Sequence, residues 1–224
     1  MKKILEENLD KVIQNIESAR LSVSGHHIVK LVAVSKYSDT KAIEMMYQCG
    51  QRAFGENQVQ QLQDRVSELE ALPLEWHFQG SLQKNKINKL IDIKPSLMHS
   101  LDSIELAIAL DERLSVKNRK MNCLLQINSS NEDTKSGVNT DNAKDIYQEI
   151  LERCENINLK GVMSIGAMDN NLTQKSFEDT YKIYEELPNA TICSMGMSGD
   201  YELAIKCGSN LIRVGSALFE SKNG

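Results

Sequence analysis

The stretch Leu31-Val32-Ala33-Val34-Ser35-Lys36 is a short apolar run that ends in a polar side chain, and this pattern recurs along the chain. From residue 28 onward, such runs alternate with longer amphipathic segments, which is typical of parallel strands joined by crossover helices. The predicted strands are Leu31 to Ser35, Ala53 to Gly55, Glu75 to Gln79, Leu97 to His99, Cys123 to Asn128, Lys160 to Ser164, Thr191 to Met195 and Leu211 to Val214.

These eight strand-and-helix units predict a single (β/α)8 TIM-type barrel, an α/β fold that typically takes about 250 residues. The sequence has 224 residues and no linker or low-complexity stretch, so we expect one domain over residues 1–224. Residues 1–27 are expected to form an extra leading helix and its connector, and residues 28–219 the barrel. The helix is indicated by apolar residues that share one face, at Leu5, Leu9, Val12, Ile13 and Ile16. An open doubly wound sheet is the alternative that the pattern leaves open.

Charge and cysteine content narrow the partners and the compartment. With 26 Lys and Arg against 31 Asp and Glu, the net charge of −5 argues against binding to nucleic acid or to an anionic membrane. The five cysteines form no Cys-x-x-Cys pair and no zinc-type spacing, so reduced thiols and no metal site are expected. Acidic residues follow Lys2 and Lys3 at once, which is unlike a signal peptide. We therefore expect a cytoplasmic protein with no membrane or nucleic-acid partner.

Lys36 directly follows the first predicted strand, at the end of the barrel where sites of this fold form. Burial beside an apolar strand disfavours a charged ammonium group, and a neutral amine is the form that attacks an aldehyde. Lys36 is therefore a candidate Schiff-base lysine. The alternative is a lysine whose stem lies along the strand end while its ammonium group reaches solvent.

A glycine-rich segment near the end of the sequence is the stronger signal. Residues 194–200 read Ser-Met-Gly-Met-Ser-Gly-Asp, and residues 208–215 read Gly-Ser-Asn-Leu-Ile-Arg-Val-Gly. Glycine lets a backbone approach a ligand closely, and the loops after strands seven and eight are the usual phosphate site of a barrel. We therefore expect a phosphate cradle here. The alternative is that these glycines serve only as turn and cap residues.

Arg213 lies on the last predicted strand, two residues before Gly215. It is either part of a structural ion pair at the barrel rim or, beside a ring nitrogen, a permanently charged donor that keeps a pyridine nitrogen unprotonated. An aldehyde-binding lysine opposite a phosphate cradle fits pyridoxal 5'-phosphate (PLP).

At these residues the sequence resembles the pyridoxal phosphate homeostasis protein family, whose barrel is of the alanine racemase N-terminal-domain type. The resemblance runs in family order from residue 32 to residue 215. The matching stretches are Val32-Ala33-Val34-Ser35-Lys36, Phe54-Gly55-Glu56-Asn57, Trp76 to Lys86, His99-Ser100-Leu101-Asp102-Ser103, Lys135-Ser136-Gly137, Ser194 to Asp200 and Ile212-Arg213-Val214-Gly215.

The resemblance implies a role for each matching residue, with PLP bound covalently as an aldimine of Lys36. The remaining implied cofactor-binding residues are Ser198 with its side chain on the phosphate, Gly215 and Ser216 with their backbone N–H groups on the phosphate, Arg213 facing the pyridine nitrogen, and Asn57 and His77 lining the pocket. Three residues depart from the family pattern: Gln58 stands in place of a tyrosine, Gln79 in place of an aliphatic residue, and Asn210 in place of a threonine near the phosphate.

The resemblance leaves open more than one class of function. The first is a PLP-binding protein of PLP homeostasis, which keeps the free aldehyde low and passes it to PLP-dependent apoenzymes. The second is an amino-acid racemase-like PLP enzyme, and the third is a Schiff-base aldolase with a phosphorylated substrate. Racemisation needs acid and base groups on both faces of the substrate carbon. The racemases resembled here take the opposing tyrosine from a second domain and a partner subunit.

The sequence ends nine residues after Gly215, which leaves no room for that second domain. Apart from Tyr37, the tyrosines fall in predicted helices, where they are expected to pack or to face solvent. We therefore expect a monomer without substantial catalytic turnover, not an enzyme, with PLP as its ligand and PLP-dependent apoenzymes as its protein partners.

Overall fold

The barrel predicted from the sequence is confirmed. The computed structural model describes residues 1–130, 136–167 and 169–220, and within them eight parallel strands form a closed ring. The barrel strands are β1 (Lys30–Val34), β2 (Ala53–Glu56), β3 (Glu75–Phe78), β4 (Leu97–Leu101), β5 (Met121–Asn128), β7 (Ile157–Ser164), β8 (Ile192–Ser194) and β9 (Leu211–Val214). A further two-residue strand, β6 (Val138–Asn139), pairs with β5 beside the ring.

Two pairings close the ring and exclude the open sheet. The first strand lies beside the last, with Val32 opposite Arg213. On the far side β4 pairs in parallel with β5, with Met98 opposite Cys123. Because the strands are parallel, their carboxyl ends all meet at one mouth of the barrel.

Helices surround the ring, as the amphipathic segments predict. They are α1 (Lys2–Val23), α2 (Thr40–Gln48), α3 (Val59–Glu68), α4 (Ile87–Ile93), α5 (Ile104–Val116), α6 (Ala143–Arg153), α7 (Asn170–Glu186), α8 (Tyr201–Lys206) and α9 (Ser216–Phe219). Side chains fix two of the helix starts: Asp39 accepts a hydrogen bond from the backbone N–H of Ala42, and Ser103 accepts one from that of Leu106. No helix in the described ranges is both long and apolar enough to cross a bilayer.

The barrel buries two apolar layers, because side chains along a strand alternate between its faces. Outward-facing residues such as Phe54 and Phe78 pack against the helices. A second cluster fills the interior of the barrel and consists of Val32, Ala53, Leu97, Leu124, Met163 and Leu211. The interior is therefore a packed core below the mouth.

The leading helix α1 covers the seam between the ends of the chain. Its buried face consists of Leu5, Leu9, Val12, Ile16 and Ala19. Ile13 was expected on this face, but that expectation is wrong: the side chain is 44% exposed, because it lies about 100° around the helix from Val12.

Asparagine side chains on α1 tie it to the last two helices. Asn15 donates to the hydroxyl oxygen of Tyr201 at 2.9 Å, and Asn8 donates to the carbonyl oxygen of Leu218 at 3.0 Å. Tyr201 begins α8 and Leu218 lies in α9. The helix that opens the chain thereby supports the two helices that border the mouth of the barrel.

Two glycines are required by the backbone. Gly80 follows β3, and a Cβ atom there would lie 1.8 Å from the carbonyl oxygen of Asn57, so the loops after β2 and β3 approach closely only with glycine at this position. Gly208 follows α8 with a φ of 99°, in the left-handed region that favours glycine, and it ends the helix as its sequence position indicates.

Candidate functional site

A cavity of about 610 Å³ opens at the carboxyl ends of the strands. Its size falls within the usual range for small-molecule sites. Six of the seven site residues predicted from the sequence line it: Lys36, Asn57, Ser198, Arg213, Gly215 and Ser216. They come from the residues that follow β1 and β2, from the loop after β8, and from β9 and the start of α9, so the closed ring brings together residues from both ends of the chain.

Lys36 lies at the mouth, two residues after β1 ends. Its backbone carbonyl accepts a hydrogen bond from Gln61 of α3 at 2.8 Å, which fixes the strand end against the neighbouring helix. The side chain is half-buried, and its Nζ lies 4.8 Å from the ring centre of Tyr37. The amine therefore stands at an accessible edge of the cavity, beside a tyrosine that is 88% exposed.

Below Lys36, a buried carboxyl group joins β1 to β2. Ser35 donates its hydroxyl hydrogen to Oε1 of Glu56 at 2.7 Å, and both residues are fully buried. Oε2 of Glu56 has no hydrogen-bond partner among the described residues. Burial raises the pKa of Glu56 above its usual range, and this effect exceeds the lowering by the Ser35 hydrogen bond.

Backbone N–H groups converge on one oxygen on the opposite side of the cavity. The N–H groups of Gly215 and Ala217 donate to Oγ of Ser198 at 3.1 and 3.3 Å. The loop that carries Ser198 is held by Asp200, whose carboxylate accepts a hydrogen bond from the N–H of Met197 at 2.6 Å. This arrangement directs two backbone N–H donors at one oxygen atom at the cavity wall, as a phosphate site requires.

Arg213 supplies a buried positive charge to the floor of the cavity. Its guanidinium Nη1 donates to the carbonyl oxygen and to Oγ of Ser194 at 2.9 and 2.6 Å, and Nη2 donates to the carbonyl oxygen of Ser164 at 2.9 Å. These partners are neutral, so the rim ion pair considered from the sequence is not among the contacts described. Burial lowers the pKa of Arg213 to about 10, which leaves the group charged at neutral pH.

His77, the seventh predicted residue, is not among the residues that line the cavity. It is 1% exposed inside the barrel and contacts His99 and Glu75 through its two ring nitrogens. The reason is depth. Side chains on one face of a strand are two residues apart, and Gln79, which directly follows β3, occupies the inward position nearer the mouth.

Sequence reasoning missed several residues of the cavity wall. They are Tyr37, Gln79, Met163, Ile165, Met197 and Phe219. Period-two alternation from the interior position of Met163 would have indicated Ile165. The sequence marks Gln79 only as a departure from the family pattern. Its Nε2 is buried without a hydrogen-bond partner among the described residues.

The other two departures lie away from the cavity wall. Gln58 is exposed and precedes α3. Asn210 was expected near the phosphate site, and this expectation is wrong because Asn210 precedes β9 and lies at the opposite end of that strand from Gly215. Its side chain instead bonds the backbone of β8, with Oδ1 accepting from Cys193 and Nδ2 donating to Thr191. Lys135, part of one matching stretch, lies outside the described residues.

Fold and cavity together define a class, the barrels of the alanine racemase type. The family model for the alanine racemase N-terminal domain matches residues 8–222. The barrel is also similar to solved alanine racemases: with the enzyme of Clostridium difficile the TM-score is 0.73 at 16% identity, over 97% of this chain and 58% of that one. At that identity the likeness concerns the fold alone.

Closer relatives specify the family. The pyridoxal phosphate homeostasis protein of Helicobacter pylori is 51% identical over 96% of this chain and 97% of its own length, and that of Caenorhabditis elegans is 32% identical over 98% and 96%. The structure of PipY of Synechococcus elongatus with PLP bound is similar with a TM-score of 0.82 and 31% identity, over 96% of this chain and 99% of that one. The chain belongs to the pyridoxal phosphate homeostasis protein family.

Proposed function

We propose that the protein binds PLP as a Schiff base with Lys36 and serves PLP homeostasis without substantial catalytic turnover. The observation that carries the proposal is the convergence on one cavity of an amine from β1, a cluster of N–H donors beside Ser198, and the buried guanidinium of Arg213. The names of the relatives and the PLP-bound structure of PipY support the choice of ligand.

The residues present fit PLP in three respects. PLP supplies an aldehyde, a phosphate group and a pyridine nitrogen. The cavity offers Lys36 for the aldehyde, and the N–H groups of Gly215 and Ala217 already converge on an oxygen atom, the hydroxyl of Ser198. Arg213 remains a charged donor, which suits a pyridine nitrogen that stays unprotonated. Ser216, which also lines the cavity, adds a further backbone N–H for the phosphate in this proposal. Asn57 lines the cavity too, and in this proposal it lies beside the pyridine ring of PLP.

The titratable groups of the cavity support a holder rather than a racemase. In the described part of the chain they are Lys36, Tyr37, Arg213 and Glu220. Tyr37 is the immediate neighbour of Lys36 and faces solvent, and Glu220 is exposed. A racemase needs a second acid-base group held on the face of the substrate opposite the lysine. Arg213 is buried but remains a charged donor at neutral pH, and neither Tyr37 nor Glu220 is held in a buried position across the cavity from Lys36.

The open mouth also suits release of the ligand. Lys36 lies beside the exposed Tyr37 at the rim, and Met197 on the other side is 40% exposed. We infer that the protein acts as a monomer in the cytoplasm and passes PLP to PLP-dependent apoenzymes, to which a rim of this kind gives access.

Reduction and mass mapping test the proposal. Incubation with PLP should give a visible absorption band that borohydride reduction abolishes, with the label found on the peptide that contains Lys36. Lys36→Ala should carry no label, whereas Lys41→Ala, which removes an exposed lysine of α2, should be labelled like the wild type. A label retained on another lysine in Lys36→Ala would show that the assignment of Lys36 is wrong.

A racemase assay tests the absence of turnover. The PLP-loaded protein should interconvert common amino acids far more slowly than about 10 per second, a typical value for an enzyme. Turnover at or above that rate would show that the protein is an enzyme and that the proposed role is wrong. Tyr37→Phe would then show whether Tyr37 takes part in the racemisation.

A further inference from the structure

A row of hydrogen bonds crosses the barrel interior from its amino end to the cavity. Oε1 of Glu75 lies 2.9 Å from Nε2 of His77, and Nδ1 of His77 lies 2.8 Å from Nε2 of His99. Nδ1 of His99 lies 3.2 Å from Oγ of Ser194, which accepts from Arg213 at 2.6 Å. These five hydrogen-bonded residues, Glu75, His77, His99, Ser194 and Arg213, form the interior chain. Apart from Glu75, they are at most 4% exposed.

The two ends of the interior chain have opposite and fixed charge. At the cavity, Arg213 can only donate hydrogen bonds. At the amino end of the barrel, Lys30 donates to Glu75 at 2.5 Å, and the hydrogen bonds from His77 and Lys30 hold the pKa of Glu75 down at about 2. Glu75 is therefore a carboxylate at neutral pH and can only accept.

These ends fix the position of every hydrogen between them. Because Glu75 accepts, the hydrogen of a neutral His77 is on Nε2, and Nδ1 of His77 must accept from Nε2–H of His99. Nδ1 of His99 is then an acceptor, so Ser194 directs its hydroxyl hydrogen to His99 and its oxygen lone pair to Arg213. Burial lowers the pKa of both histidines, which favours this neutral arrangement.

Space filling does not account for the interior chain. Neighbouring positions inside the barrel are occupied by Val32, Leu97 and Leu211, so apolar side chains fit this layer. Buried polar groups rarely stabilise a fold more than apolar groups of the same volume would. A series in which each donor meets an acceptor instead gives its terminal group a single orientation.

We propose that Ser194 and His99 are positioning residues, which orient the guanidinium of Arg213 toward the ring of the bound ligand. Nη1 is held by Ser194 and Nη2 by the carbonyl oxygen of Ser164, so the group cannot rotate within the cavity floor. His77 and Glu75 act one step further away by fixing the tautomer of His99. This role rests on the proposed function, because it gives the ring nitrogen of PLP an oriented donor.

The ligand-free wild type tests the interior chain without PLP. Nitrogen-15 NMR of the histidine side chains should show two neutral imidazoles, each with hydrogen on Nε2 and with an unprotonated Nδ1. Hydrogen on Nδ1 of His99, or a charged imidazolium at either position at neutral pH, would overturn the proposed direction of the hydrogen bonds.

Variants at Ser194 test the positioning role. Ser194→Ala should retain the fold by circular dichroism, release PLP about tenfold more readily, and shift the wavelength of the PLP absorption band, because Arg213 loses an orienting bond. Ser194→Thr, which keeps the hydroxyl, should restore the wild-type wavelength. Ser129→Ala removes a buried hydroxyl that bonds Ser176 outside the interior chain, and it serves as the control.

The outcomes separate the two proposals. If the wild type binds PLP at Lys36 and Ser194→Ala matches it in both wavelength and release, the positioning role is refuted while the proposed function stands. If the wild type takes up no PLP, the proposed function fails and the NMR result alone decides whether the interior chain is built as described.

Discussion

Acidification should destabilise the fold from about pH 6.5 downward, because two histidines are buried in neutral form. His77 and His99 are 1% and 0% exposed, and burial lowers the pKa of each below the usual 6.5, for His99 well below it. In the unfolded chain both take up a proton near pH 6.5, so below that pH the unfolded state binds more protons than the folded state. The stability that the two neutral histidines contribute is therefore fully present above pH 6.5, and it is lost as the pH falls toward their pKa values in the folded state.

The size of the effect follows from linkage. Each histidine that stays neutral in the folded state removes about 2 kcal/mol between pH 8 and pH 5, so the pair removes up to about 4 kcal/mol. That is a large part of the 5–15 kcal/mol by which domains are usually stable. Urea unfolding followed by the fluorescence of Trp76, the one tryptophan in the sequence, measures the change directly. Carboxylates with lowered pKa contribute mainly below this range. The raised pKa of Glu56 acts within it with the opposite sign, so a comparison between variants is needed to isolate the histidines.

A single substitution isolates the contribution of the interior chain. His99→Gln should reduce the loss between pH 8 and pH 5 by about 2 kcal/mol, whereas His26→Gln, at an exposed position outside the interior chain, should leave it unchanged. If His99→Gln lost as much stability between pH 8 and pH 5 as the wild type does, His99 would not be buried in neutral form. The assignment of hydrogens along the interior chain would then be refuted.

Three further substitutions address the cavity and its support. Ser198→Ala should weaken PLP retention by about 1.5–3 kcal/mol without unfolding the barrel, and unchanged retention in dialysis would remove Ser198 from the phosphate site. The raised pKa of Glu56 makes the wild type lose stability as the pH rises above 4.5. Glu56→Gln should therefore raise the melting temperature more at pH 8 than at pH 5, and an equal rise at the two pH values would contradict this. Gln79→Leu should raise the unfolding free energy of the ligand-free protein by about 1–3 kcal/mol, because it removes a buried amide nitrogen that has no partner among the described residues. Destabilisation of Gln79→Leu in urea would show that the amide does find a partner.

Strand identity and order could be predicted because each barrel strand is a separate apolar run between polar segments. The starts of two strands were harder to predict. β5 and β7 begin at Met121 and Ile157, earlier than expected, because each contains an asparagine near its amino end. Asn158 donates to Asn122 across the two strands, so residues that look like loop in the sequence are paired inside the sheet.

The sequence did not predict how far each residue lies from the mouth of the barrel. Alternation indicates that His77 of β3 and Gln79, which directly follows β3, face the same side of the sheet. Only the stagger of neighbouring strands decides which of them reaches the cavity. Asn210 shows the same difficulty over the length of a whole strand. Its position among glycine-rich residues suggested the phosphate site, but it precedes β9 and therefore lies at the end of β9 that is far from the cavity. The interior chain could not be predicted from the sequence for a related reason. Its residues lie on β3, β4, β8 and β9, and they come into contact only when the barrel closes.

The seam between β1 and β9 has a consequence for how the protein folds during synthesis. Lys36 leaves the ribosome early, whereas Ser198 and Arg213 leave it late. The apolar face of α1 is likewise covered only after α8 and α9 have been synthesised. Contacts between such distant parts of a chain form slowly, because the ordering of the intervening loop must come first. A nascent or prematurely terminated chain therefore displays the lysine without the proposed phosphate site, and it should gain affinity for PLP only when the last strand has joined the first.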